Sequence, residues 1–99
     1  MGKRKIIWTD RASLKLHDIL NYYSQRNKSK TYSITLFKKF KLKLKMLVLT
    51  PEVGIKTNFP NVRGLIVGHF ILFYEYDPER IIVHYIWDSR QNPENLKIR

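Results

Sequence analysis

Apolar positions in the second half of the chain fall into three runs, separated by two tight breaks at Gly68-His69 and Asp77-Pro78-Glu79. Runs rich in β-branched and aromatic residues, punctuated by glycine, proline and aspartate, predict an antiparallel three-strand meander over Val62 to Pro93. In the first half the period changes. Ala12, Leu16, Ile19, Leu20 and Tyr23 recur at helical spacing, while Arg11, Lys15, Asp18 and Gln25 lie off that stripe. Thr9 offers an N-cap oxygen and Asp10 a first-turn negative charge, so a helix is predicted to begin there, just after a short strand Lys5-Ile6-Ile7-Trp8. Asn27 and Ser29 mark its stop and the restart of the next element.

The window from about Ser29 to Leu49 carries two patterns. Phe40, Leu42, Leu44 and Met46 alternate with Lys41, Lys43 and Lys45, which taken alone reads as a strand. Over a wider span, Leu36-Phe37, Phe40, Leu44 and Leu47-Val48 recur every three to four residues, lysine and leucine are good helix formers, and Pro51 closes a run too long for an ordinary strand. A second helix is predicted, with Lys38, Lys41 and Lys45 on one outer stripe and Lys39 and Lys43 on another. Proline, glycine and asparagine make Pro51 to Pro60 a loop. The fold class is therefore α+β: an N-terminal strand, an antiparallel helical hairpin, then a three-stranded antiparallel meander in one sheet with the helices on one face. Both alternating sets of the meander are apolar, so two sheet faces need cover and two helices shield one. The other is expected to be a half-wet binding surface, or to be covered by rim side chains and the C-terminal tail.

At 99 residues the expectation is one domain spanning 1–99. No apolar stretch approaches the roughly 20 residues of a membrane span, and the basic N-terminus is not followed by a signal-peptide apolar region. Without cysteine there is no disulfide, thiolate metal site or thiol nucleophile. These features lead to the expectation of a soluble, cytoplasmic protein with no membrane partner. The net charge of +11 is entirely in residues 1–50, where thirteen cations face the two acids Asp10 and Asp18; residues 51–99 hold six of each sign. Such a field favours anionic partners, although a solubilising surface would look the same.

Several stretches carry a family resemblance: Ala12, Leu16, Ile19 and Tyr23 in the first helix; Leu49-Thr50-Pro51-Glu52-Val53-Gly54; Val62-Arg63-Gly64-Leu65; Phe70-Ile71-Leu72-Phe73-Tyr74; and Asp88-Ser89-Arg90-Gln91-Asn92-Pro93. In this order, from Ile6 to Pro93, the chain resembles the RelE/ParE superfamily of toxins from bacterial type II toxin–antitoxin modules. The resemblance implies a small toxin that arrests growth and is neutralised by a cognate antitoxin with an acidic segment. One branch cleaves mRNA on the ribosome, and another poisons DNA gyrase without catalysis of its own.

Cleaving RNA through its own 2′-hydroxyl needs a base, an acid for the leaving oxygen, and cations for the charge that grows on the phosphate. Arg63 matches by position the phosphate arginine of the ribonucleolytic branch, and Arg90 corresponds to a second basic residue after the last strand. Asp88 as base and Lys56 as acid or phosphate ligand complete the candidate catalytic set, and the strand ends are expected to bring Arg63 and Arg90 together. Rim salt bridges are the alternative employment of both arginines. Where ribonucleolytic members often end in Tyr or His-Tyr, this chain reads Asp88-Ser89-Arg90, and its Arg-x-x-Pro ending is closer to the gyrase branch. His84 is read as a sheet side chain and His69 as a turn residue. The three histidines lack metal-ligand spacing, and neither a metal nor a cofactor is expected. The sequence leans to ribosome-dependent mRNA cleavage by an endoribonuclease, with gyrase inhibition close behind and a non-toxic basic nucleic-acid-binding module third.

Overall fold

The computed structural model describes residues 4–89. Strand β1 (Lys5–Trp8) leads into helix α1 (Asp10–Arg26) and helix α2 (Thr31–Leu49), followed by a 3₁₀ turn at Pro51–Val53 and strands β2 (Ile55–Lys56), β3 (Arg63–Val67), β4 (Phe70–Tyr76) and β5 (Arg80–Asp88). The start of α1 is the predicted one: Thr9 Oγ1 accepts from the Ala12 N–H at 3.1 Å, and Asp10 lies in the first turn. Between the helices Lys28 takes a positive φ of 50°. The hairpin closes on a buried Ser33, whose hydroxyl donates to the Leu20 carbonyl at 2.7 Å and pairs with Ser24 Oγ at 2.8 Å.

All strands lie in one sheet of order β1-β5-β4-β3-β2. β1 pairs with β5 in parallel, Ile6 opposite Ile81 and Trp8 opposite Val83, while the other pairs are antiparallel. The predicted meander forms with both breaks in place. Gly68 supplies φ 60° at the first, the left-handed backbone that a two-residue hairpin needs and that glycine adopts without penalty. At the second, Asp77 Oδ1 accepts from the N–H groups of Glu79 and Arg80, and its Oδ2 pairs with Arg80 at 2.9 Å. These bonds, the Glu79 N–H foremost, hold the Asp77 carboxyl below its usual range.

Helical period wins over alternation in α2 because one side of a continuous helix can bury Leu36, Phe40, Leu44 and Leu47 together. These pack on Leu65, Val67, Phe70, Leu72, Tyr74, Ile81, Val83 and Ile86 of the sheet. Phe70 lies edge-on to Phe40 and Tyr23, with centroids 5.7 and 6.4 Å apart. The lysines at 38, 39, 41, 43 and 45 are all exposed.

The opposite sheet face has its own smaller cluster, Val62, Phe73 and Trp87 buried with Ile71 and Tyr85 against them. The Arg11 guanidinium lies 4.1 Å from the centre of the Tyr85 ring, so a rim side chain does contribute cover. The C-terminal tail expected to assist, from Arg90 on, lies outside the described residues. β4 and β5 slip register between Phe73 and Tyr74, which pair with Tyr85 and Val83, leaving His84 as the extra residue of a β-bulge. His84 is thus a sheet residue and His69 a turn residue, as expected.

Candidate functional site

The Pro51-Glu52-Val53-Gly54 segment and the Val62-Arg63-Gly64-Leu65 strand are far apart in sequence, and two side chains join them. Arg63 and Tyr74 are cross-strand partners on β3 and β4, so both project from the helix-covered face at the same end of the sheet. The Tyr74 hydroxyl donates to the Pro51 carbonyl at 2.6 Å and accepts from the Gly54 N–H at 3.0 Å. Arg63 Nη1 donates to the Glu52 and Gly54 carbonyls at 3.0 and 2.8 Å. Four main-chain groups of the turn are satisfied by two side chains. Gly54 is obligatory: a Cβ there would lie inside the Tyr74 phenol, 2.7 Å from Cε1. Burial raises the Tyr74 pKa above the ordinary 10.0, against the lowering effect of the Gly54 N–H and the Arg63 charge.

β2 is the element that the sequence did not reveal, because two residues inside a Pro/Gly/Asn-rich loop leave no period to read. Its pairing sets Lys56 opposite Arg63, and the following loop folds back with Thr57 Oγ1 donating to the Val62 carbonyl at 2.8 Å. Asn61 adopts a positive φ of 65° in that loop. The result is a cleft of about 730 Å³ at the end of the sheet, bordered by Lys56, Phe59, Arg63, Glu75, Tyr76 and Arg80. Lys56 is exposed and Arg63 half-buried. Tyr76 has the guanidinium carbons of both Arg63 and Arg4 at 5.9 Å from its ring centre, and Arg4 in turn donates to the Asp77 and Val48 carbonyls.

The structure brings Lys56 and Arg63 together and separates Asp88 from them. A meander of three strands leaves at the end opposite the one where it enters, so Asp88, paired with Phe70, sits roughly 13 Å along β4 from the Tyr74–Arg63 pair. It borders a different hollow, of about 440 Å³, with Lys15, Asp18, Tyr22 and Tyr23. The expected meeting of Arg63 with Arg90 falls on a residue that lies outside the described residues. The rim salt bridge considered for Arg63 is replaced by carbonyl contacts, including the main chain of Glu52 rather than its carboxylate.

Acid–base groups are likewise divided. Glu75 Oε1 lies 3.1 Å from His84 Nε2, but Glu75 follows Tyr74 in the strand and so projects to the sheet face opposite Tyr74 and Arg63. Asp77 is held as the charged element of its turn. Among the described residues no group of three or more His, Cys, Asp or Glu side chains could hold a metal ion, and no helix is long and apolar enough to cross a membrane.

Residues 6–93 match the sequence profile of the ParE toxin of the type II toxin–antitoxin system, parDE. The chain belongs to the ParE toxin family. As a ParE-family toxin it has a cognate antitoxin as its partner. Its fold is that of a chain from the chromosomal ParDE toxin–antitoxin system of P. aeruginosa, with a TM-score of 0.71 at 18% identity, covering 85% of this toxin and 94% of that chain. Among curated proteins none matches the sequence at a significant level. Within this toxin, Tyr74 is the residue that sequence reasoning passed over. It lies in an apolar run and reads as core, and its only signal was a Tyr in a buried strand downstream of a Pro-x-x-Gly turn.

Proposed function

We propose that this toxin arrests growth by binding DNA gyrase, without catalysis of its own. The observation that carries this reading is the use of Arg63. Its guanidinium is engaged with two carbonyls of the Pro51–Gly54 turn; of the other candidate catalytic groups, Lys56 lies beside it, while Asp88, the candidate base, is at the far end of the sheet. Ribonucleolysis needs a base, an acid and a phosphate ligand within hydrogen-bond reach of one phosphodiester. A toxin that works by binding has no such requirement. The cytoplasm is then the site of action, and the surplus positive charge of residues 1–50 assists encounter with a DNA-bearing target.

The test is induction without antitoxin. The expected outcome is growth arrest with trapped gyrase–DNA cleavage complexes and intact messages. New codon-positioned breaks on translated mRNA, with no trapped gyrase, would refute the proposal and restore the ribosome-dependent cleavage that the sequence favoured.

A further inference from the structure

Helix α2 and the turn before it carry charge of one sign. From Ile19 to Pro51 the chain has no acidic residue, and every cation in that span is exposed. Arg26, Lys28 and Lys30 lie at the hairpin turn. On α2 itself Lys38, Lys41 and Lys45 form one stripe and Lys39 and Lys43 a second, while Leu36, Phe40, Leu44 and Leu47 form the buried side against the sheet. The ion pairs found among the described residues, Arg80–Asp77 and His84–Glu75, leave all of these cations out.

We propose that this face binds duplex DNA directly, through its phosphate backbones and without regard to sequence. The proposal rests on the gyrase reading for its role in the cell, where the toxin touches the DNA that gyrase holds as well as the enzyme. From Lys30 to Lys45 the cations extend about 22 Å along the helix axis, and a duplex presents one phosphate charge per roughly 1.7 Å of its own axis. The two stripes stand on either side of a helix about 10–12 Å across. That width compares with the major groove of B-DNA, about 12 Å, so each stripe reaches a different strand. Leu42 and Met46, exposed between the stripes, meet base edges without a hydrogen bond that would select a sequence. A single strand offers only one row of phosphates, and A-form RNA keeps its major groove too deep and narrow for side chains. A second copy of the toxin sets lysine against lysine, and a lipid surface calls for a broad apolar face with aromatic anchors.

The experiment measures fluorescence anisotropy of short labelled duplexes of unrelated sequence with the full-length toxin, over a range of salt. The expected Kd lies between about 10⁻⁶ and 10⁻⁴ M at physiological salt, is the same for each sequence, and weakens with a log–log salt slope of about −4 to −5, roughly 0.9 for each lysine engaged. Lys39→Gln/Lys43→Gln should reduce that slope by about 2 and Lys38→Gln/Lys41→Gln/Lys45→Gln by about 3. Lys5→Gln/Lys15→Gln removes the same charge as the first pair from outside this face and is expected to keep the wild-type slope. Circular dichroism checks that each variant is folded, and either α2 variant carries the test alone. An unchanged slope in a folded α2 variant overturns the inference. So does an equal loss in the Lys5/Lys15 control, which marks an effect of net charge, or tighter binding to single strands or double-stranded RNA. Gyrase is absent from this assay. Trapped gyrase complexes without DNA binding by the toxin itself refute this inference alone, and DNA binding without trapped gyrase refutes the gyrase reading alone.

Discussion

Removing one oxygen from Tyr74 should release the Pro51–Gly54 turn from the sheet. Tyr74→Phe keeps the ring, which is fully buried, and deletes only the hydroxyl that joins the Pro51 carbonyl to the Gly54 N–H. Pro51 and Gly54 are themselves buried, so the substitution strands one acceptor and one donor away from water. An unsatisfied buried main-chain group costs about 1–3 kcal/mol, so the pair comes to about 2–4 kcal/mol. For a chain of this size that is a large fraction of a total stability of about 5–15 kcal/mol, and it lowers Tm by roughly 10–20 °C. Urea or thermal unfolding followed by circular dichroism measures it, with Tyr76→Phe, at an exposed ring, as the control expected to stay within about 0.5 kcal/mol. A Tyr74→Phe protein as stable as that control would refute the clamp.

The same residue gives a pH signature. Its folded-state pKa is raised, chiefly by burial, so the folded state holds the phenolic proton more tightly than the unfolded chain. The resulting stability is fully present below the unfolded value near 10.0 and is lost as pH rises through the folded one. The wild type should therefore lose stability on the alkaline side, and Tyr74→Phe should lack that component.

Three further outcomes are expected. Gly54→Ala forces the Tyr74 phenol out of its seat and should destabilise by at least as much as Tyr74→Phe, about 2–4 kcal/mol by the same denaturation assay. Arg63→Ala removes two charge-assisted bonds to carbonyls, about 2–4 kcal/mol in all, while Lys56→Ala, exposed beside it, should change stability by less than about 0.5 kcal/mol. Toxicity of Arg63→Ala should fall only as far as its folded, soluble level falls; a fully folded but harmless Arg63→Ala protein would instead assign Arg63 to target contact. Thr9→Ala removes the N-cap of α1, and with it the bond from Thr9 Oγ1 to the His84 carbonyl at 3.2 Å, for about 1 kcal/mol by unfolding.

Local pattern is enough for most of the architecture. The Thr9-Asp10 start of α1, the helical choice for Lys41 to Met46, the two breaks of the meander and the grouping of cations on the helices all follow from periods and turn residues within a few positions of one another. The order of pieces along the chain then resembles one toxin superfamily, and the ParE profile agrees with that reading. These features are legible because hydrophobic period, capping and turn chemistry act over short stretches of sequence.

What needed the fold was every relation across the sheet. Sequence placed Asp88 in one candidate catalytic set with Arg63, whereas three antiparallel strands put it at the end of the sheet remote from Arg63. The two-residue β2, the His84 bulge and the parallel pairing of β1 with β5 depend on partners far along the chain and leave no local period. Above all, Arg63 reads in sequence as a cation free to meet a phosphate. Tertiary packing sets it beside Tyr74 over the Pro51–Gly54 turn, where the carbonyls of Glu52 and Gly54 engage its guanidinium.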